Sequence, residues 1–256
     1  MHDMLAQRIR AALAEKDILL MTHIVIGYPD PDASYEIVRA MVKAGVDLME
    51  LQIPFSEPIA DGPVIEHANG KALSGGMTVE KSLAFAKRVA ADFSIPFLFM
   101  SYYNIVFRYG IQRFAAAMKD IGLAGAIIPD LPPEEAHDYT AAMDEHGLAP
   151  IFLFAPTTPP ERMVRIAERA RGFIYCVARK GVTGLDTAFS EEVAAYLGRA
   201  RAATTLPLAV GFGIKGKSDV DYLKGKAEIA VVGSQMLRVV EEKGPAGAGP
   251  FCASLR

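Results

Sequence analysis

Glu50 stands inside the apolar run LMELQIPF, where a strand covered on both faces has little use for a carboxylate. A second acid, Asp61, follows in the long connection PFSEPIADGPVIEHANGKALSGG, which carries Pro54, Pro58, Pro63 and Glu57. Two carboxylates from a strand end and its loop can serve as a general acid/base and as the electrostatic partner of a developing cation, if both face one cavity. Plainer alternatives stay open. Glu50 could pair with a neighbouring lysine or hydroxyl, and Asp61-Gly62 could be a turn that only shapes the backbone. Three later segments suit an anion: ARKGVTGLD with Gly181, Thr183 and Gly184, GFGI with Gly211 and Gly213, and VVGSQ with Gly233 and Ser234. Glycine admits a backbone N–H close to phosphate, and a helix N-terminus adds aligned dipoles.

The elements that must position these residues follow from periodicity. Eight apolar runs begin at Ile18, Asp47, Pro96, Ala124, Ala149, Gly172, Pro207 and Glu228, each reading as a strand buried on both faces. Between them lie amphipathic segments such as SYEIVRAMVKAG and PPERMVRIAERA, several opening on Pro, Asp, Ser or Thr and closing on Gly. This alternation predicts an α/β fold, a (β/α)8 TIM barrel. An open doubly wound sheet is the alternative, but the first run lacks a Gly-rich dinucleotide fingerprint. An extra N-terminal helix over Asp3 to Lys16, with Met4, Leu5, Ile9 and Leu13 apolar, is expected as a lid on the barrel floor. Residues 1–243 read as one domain, and 244–256, GPAGAGPFCASLR, as a mobile tail.

Composition narrows the function classes. The 256 residues are 51% hydrophobic and 22% charged, with 27 basic and 30 acidic side chains interspersed for a net charge of −3, so no basic stripe points to nucleic acid. Cys176 and Cys252 lack zinc-site spacing, so reduced thiols and no metal are expected. The N-terminal segment has no secretory h-region and no stretch suits a bilayer, which predicts a cytoplasmic protein without membrane contact.

The stretch LMELQIPFSEPIADGPVIEHANGKAL strongly resembles the signature of the tryptophan synthase alpha subunit family. The resemblance continues through IGYPD, SYYNIVFRYG, IIPDLPPEEA, APTTPPERM, ARKGVTG, VGFGI and VVGS, covering roughly Leu5 to Lys243. It implies a lyase of tryptophan biosynthesis that splits indole-3-glycerol phosphate by a retro-aldol reaction into indole and glyceraldehyde 3-phosphate. Glu50 would protonate indole C3 and take the glycerol hydroxyl proton, while Asp61 would hold the indole N–H. Tyr175 would line the pocket, Thr183 would lie on a closing loop, and Gly184, Gly213, Gly233 and Ser234 would bind phosphate, with Phe212 beside them. The expected partner is a beta subunit in an alpha2beta2 complex, to which indole passes; pyridoxal phosphate is expected only in that partner, and no cofactor in this chain.

Three departures from the family pattern stand out. Gln52 replaces the usual Gly after the strand Glu, Glu57 replaces an Asp in the loop used against the partner, and His23 occupies a first-strand position that often carries an apolar indole contact. A solvated strand-end imidazole is the expectation for His23. Other readings of the chain are a lyase acting without a partner, a silent barrel kept as an activator, and a different phosphosugar isomerase or aldolase on the same barrel, whose Schiff-base form would need a strand-end lysine, with Lys180 the nearest candidate.

Overall fold

The structure, a computed structural model, describes residues 3–177, 191–211 and 213–256. Each apolar run supplies one parallel strand, and the strands close in sequence order: β1 (Leu19–Val25), β2 (Leu48–Gln52), β3 (Phe97–Met100), β4 (Gly125–Ile127), β5 (Ala149–Phe154), β6 (Ile174–Val177), β7 (Leu208–Gly211) and β8 (Ile229–Val232). Pairing of Leu19 with Ile229 through Thr22 with Val232 seals the barrel, which removes the open-sheet alternative. The helices among the described residues are α1 (Met4–Leu13), α2 (Pro31–Lys43), α3 (Pro63–Ser74), α4 (Val79–Asp92), α5 (Tyr103–Tyr109), α6 (Ile111–Ile121), α7 (His137–Glu145), α8 (Pro160–Arg169), α9 (Glu191–Ala203), α10 (Lys217–Leu223), α11 (Ser234–Lys243) and α12 (Ala248–Ser254). Local chemistry sets their starts: Asp30 caps Ala33 N–H with Pro31 at the first helical position of α2, and Thr78 caps Lys81 N–H at the start of α4.

Successive strand residues alternate between two cores. Leu19, Met21, Leu48, Leu98, Phe173 and Ile229 fill the lumen, while Leu20, Met49, Leu51, Phe99, Val210 and Ala230 pack outward against the helices. The floor of the lumen is closed by α1, whose Leu5 and Ile9 join the interior cluster. Burial of these two side chains contributes about 1.5–3 kcal/mol each. Asp3 fixes the docking: one carboxylate oxygen accepts the Ala6 N–H at 3.0 Å and the other accepts the Gly172 N–H at 2.7 Å. Gly172 has φ +74° and lies so close to α1 that a Cβ there would stand 2.7 Å from Leu5 Cδ2. Met4, read as part of the apolar face, instead points outward and is 68% exposed.

The segment 244–256 differs from the expected mobile tail. It forms a 3-10 turn at Pro245–Gly247 followed by α12, which packs on α2 and buries Ala248, Cys252 and Leu255. Arg256 then bonds Gly45 O and, at 2.7 Å, Asp47 Oδ2. The helix, seven residues long, is too short to show a helical period, so its burial is set by tertiary contact. Among the described residues no helix is long and apolar enough to cross a membrane.

Candidate active site

At the C-terminal ends of the strands the lumen changes character. Continuing the alternation, Leu19 and Met21 lead to His23 on β1, Leu48 leads to Glu50 and Gln52 on β2, and Leu98 and Met100 lead to Tyr102 just beyond β3. An apolar floor thus carries a polar layer at the barrel mouth, where the loops of this architecture build reactive sites. The β1–β2 register sets His23 directly beside Glu50, and Nδ1 lies 3.0 Å from Glu50 Oε2. When the carboxyl is in its ionised form it only accepts, and Nδ1 is then the nitrogen that carries the hydrogen. Both side chains are buried, each at 3% exposure, which corrects the expectation of a solvated imidazole: the β1–β2 register sets the ring against Glu50 inside the lumen. Among the described residues Glu50 Oε1 and His23 Nε2 are buried without a hydrogen-bond partner.

Asp61 reaches the same layer from the loop after β2. Asp61 N–H bonds Pro58 O at 2.9 Å, and Gly62 continues in extended backbone into Pro63 at the first position of α3. The side chain is turned inward and buried, so the residue is more than a turn former. Gln52 Nε2 donates to Asp61 Oδ2 at 2.7 Å, and Tyr102 Oη donates to the same oxygen at 2.9 Å. Tyr102 also accepts the Ala60 N–H at 3.2 Å and stacks on Phe55 with centroids 5.2 Å apart, so one phenol fixes both the acid and its loop. Asn69 on α3 completes the frame by accepting the Phe55 N–H at 3.0 Å and donating to Ile65 O at 2.8 Å.

Burial raises the Asp61 carboxyl above the ordinary range; the charge of His23 and the Gln52 and Tyr102 hydrogen bonds oppose this, and the charge of Glu50 adds to it. Burial, then the charge of Asp61, pushes the Tyr102 phenol well up, so it remains a donor. Tyr175 on β6 packs on the lumen cluster, and burial, the charges of Glu50 and Asp61 and a hydrogen bond to Glu50 raise its phenol as well. Gly211 on β7 gives that ring its place, since a Cβ there would lie 2.6 Å from Tyr175 Oη. This glycine, read from sequence as suited to an anion, is instead spoken for by a neighbouring side chain. Gly233 and Ser234 open α11 directly after β8, the first turn of that helix has no acidic residue, and a Cβ at Gly233 would meet nothing within 4 Å. Gly213 follows β7 with φ +40°. Thr183, Gly184 and Phe212 lie outside the described residues, as do Lys180 and Gly181.

The structure therefore brings Glu50, Asp61 and Tyr175 to one mouth, together with three residues whose roles the sequence left unread. His23 and Gln52 were visible only as departures from a pattern. Tyr102 had a usable signal, the two-residue step from Leu98 through Met100. The arrangement can deliver and remove a proton at Oε1 of Glu50 while Asp61 stabilises positive charge nearby.

A family model described as tryptophan synthase alpha chain matches residues 9–248. The chain belongs to that family. It is 63% identical over 253 residues to the tryptophan synthase alpha chain of Syntrophotalea carbinolica, covering 99% of this chain and 100% of that relative. To the alpha chain of Desulforapulum autotrophicum it is 62% identical, covering 98% and 100%. Among solved structures, a Mycobacterium tuberculosis tryptophan synthase chain superposes with a TM-score of 0.93 at 33% identity, covering 100% of this chain and 97% of that one. The tryptophan synthase alpha subunit of Legionella pneumophila superposes with a TM-score of 0.90 at 30% identity, covering 100% and 97%. The family consists of lyases that cleave indole-3-glycerol phosphate, and this chain is one of them.

Proposed function

We propose that Glu50 and Asp61 divide the cleavage between them. Glu50 gives a proton to indole C3 and takes one from the hydroxyl on the carbon bonded to C3. The C3–carbon bond breaks, its electron pair restores the indole ring, and the hydroxyl carbon becomes the aldehyde of glyceraldehyde 3-phosphate. One carboxyl that gives a proton and receives another ends the turnover as it began. Asp61 accepts the indole N–H and stabilises the positive charge that C3 protonation places on the ring. The single observation carrying this reading is that both acids are buried in one polar layer, each with one oxygen held by protein donors: Oε2 of Glu50 by His23, and Oδ2 of Asp61 by Gln52 and Tyr102.

The substrate phosphate would bind at Gly213, Gly233 and Ser234, where the α11 N-terminus presents its amides, with Gly184 contributing from its loop. Tyr175 and Phe212 would flank the indole, and Thr183 would help close the site over it. The partner is a tryptophan synthase beta subunit in an alpha2beta2 assembly in the cytoplasm, which receives indole and alone holds pyridoxal phosphate. Supporting this surface, Ile59 and Phe107 are 72% and 64% exposed, one beside the Ala60 that bonds Tyr102 and the other on the helix that Tyr102 begins. Large exposed apolar side chains of this kind suit a contact with a partner.

The test is indole release from indole-3-glycerol phosphate, with and without a beta subunit. The native chain is expected to be weak alone and strongly activated by the partner, and Glu50→Gln to release none in either case. Unchanged turnover in Glu50→Gln would refute the acid/base assignment.

A further inference from the structure

The imidazole of His23 exchanges no proton with the substrate, yet it is buried in the lumen at 3% exposure. Leu19 and Met21 below it on β1 show that this face accepts apolar side chains. A buried imidazole–carboxylate pair brings little net stability, because desolvation offsets its attraction. This one is satisfied on one side only, since Nε2 of His23 and Oε1 of Glu50 are both buried without partners among the described residues. Packing and stability therefore do not account for it, and its geometry does. The two oxygens of Glu50 are made unequal: Oε2 sits 3.0 Å from Nδ1, and Oε1 is unengaged.

We propose that His23 is a positioning residue for the acid/base carboxyl: its Nδ1–H fixes Oε2 of Glu50 and so selects Oε1 as the oxygen that exchanges protons with the substrate. This rests on the acid/base reading of Glu50. A glutamate with a free carboxyl rotates about its last bond, and a proton carrier serving two substrate atoms in turn must keep one oxygen in place through both transfers. Among the other neighbours the Tyr175 phenol also bears on Glu50 by a hydrogen bond, without giving Oε1 a partner within 3.5 Å, so the short restraint on the carboxyl is the one from His23. Gln52 spends its donors on Asp61 and Asn69, Tyr102 spends its hydroxyl on Asp61, and Asp61 itself repels a second carboxylate. His23 also acts on Asp61, where its charge counters the effect of burial, so one ring serves both acids.

The test compares two side chains of nearly equal size that differ in having a donor. In His23→Asn the amide Nδ2 can take the place of Nδ1 and keep the bond to Oε2, whereas His23→Leu fills the same space without a donor. Indole release from indole-3-glycerol phosphate is measured in the presence of a beta subunit, with kcat and KM resolved. A hydrogen bond to an ionised group is worth about tenfold or more in an equilibrium. The expected result is a kcat for His23→Leu lower by about tenfold or more, with Asn within about threefold of native and KM within about twofold in both. Equal kcat values for Asn and Leu would overturn the proposal. Should His23→Leu fail to fold, His23→Phe supplies a donor-free ring for the same comparison. Glu50→Gln runs alongside: turnover there would remove the acid/base reading itself, whereas an inactive Gln variant with equal Asn and Leu variants removes only the role of His23.

Discussion

Gly211→Ala is the most direct perturbation of the barrel mouth that leaves every polar group in place. The added methyl would lie 2.6 Å from Tyr175 Oη, 2.7 Å from Cε1 and 2.9 Å from Cζ, against the 3.4–4 Å of ordinary contact. The ring has to withdraw by roughly 1 Å, a displacement that at a reacting centre costs on the order of 100-fold in rate. The ring bears on Glu50 and Asp61, so its retreat alters the pocket that those acids share. Overpacking adds about 1–3 kcal/mol of destabilisation, or about 2–10 °C in Tm for a domain of this size. The assay is kcat and KM for indole formation together with a thermal melt. Tyr175→Leu removes all three crowding atoms, so the double variant should melt above Gly211→Ala alone, with non-additivity on the order of 1 kcal/mol in the mutant cycle. Native kcat/KM and native Tm in Gly211→Ala would refute the placement of Tyr175 against β7 and, with it, this wall of the pocket.

Three other outcomes follow from the same geometry. Tyr102→Phe removes the phenol that joins Asp61 Oδ2 to the Ala60 N–H, and kcat/KM should fall by about 10-fold while the stacked ring keeps the fold; an unaltered kcat/KM would show that Gln52 alone fixes Asp61. Because burial raises the Asp61 carboxyl in the folded chain, the folded state binds more protons than the unfolded state between the two values, and this group's contribution to stability falls as pH rises through that window. The Tm advantage of Asp61→Asn over the native chain should therefore widen from pH 4 to pH 8, and a pH-independent difference would contradict the direction. Cys176 and Cys252 are buried, and burial pushes each thiol up to about 12, so neither should react with a thiol reagent at pH 8 until the protein is unfolded; labelling of Cys252 in the native chain would show that α12 leaves its place.

The barrel was legible because it is built from local patterns. Each strand is a short apolar run flanked by helix signals, and eight of them have few other ways to cover both faces. What escaped depends on pairs of residues distant in sequence. The surroundings of His23 follow from the β1–β2 register, which places it 27 positions from its partner, and nothing on β1 announces that partner. Gly211 shares the GFGI motif with Gly213, but a glycine that clears space for a ring and one that admits a ligand look alike until the ring is placed. In Asp61-Gly62 the dipeptide fits a turn, and only the inward donors Gln52 and Tyr102 distinguish a held acid from a bend. The α12 helix escaped for a simpler reason: Gly, Ala and Pro carry too little apolar contrast to show a period, and its burial comes from α2.

Asp47, at the foot of β2, binds Lys16 from the segment after α1, the Leu20 N–H from β1 and the final residue, Arg256. Lys16 and Arg256 are thus gathered beneath the cylinder, on the side opposite the chemistry. A tether bonded at Lys16 or Arg256 would hang from the underside, so anchoring the enzyme to a support that way would leave its opening turned outward to substrate and partner alike.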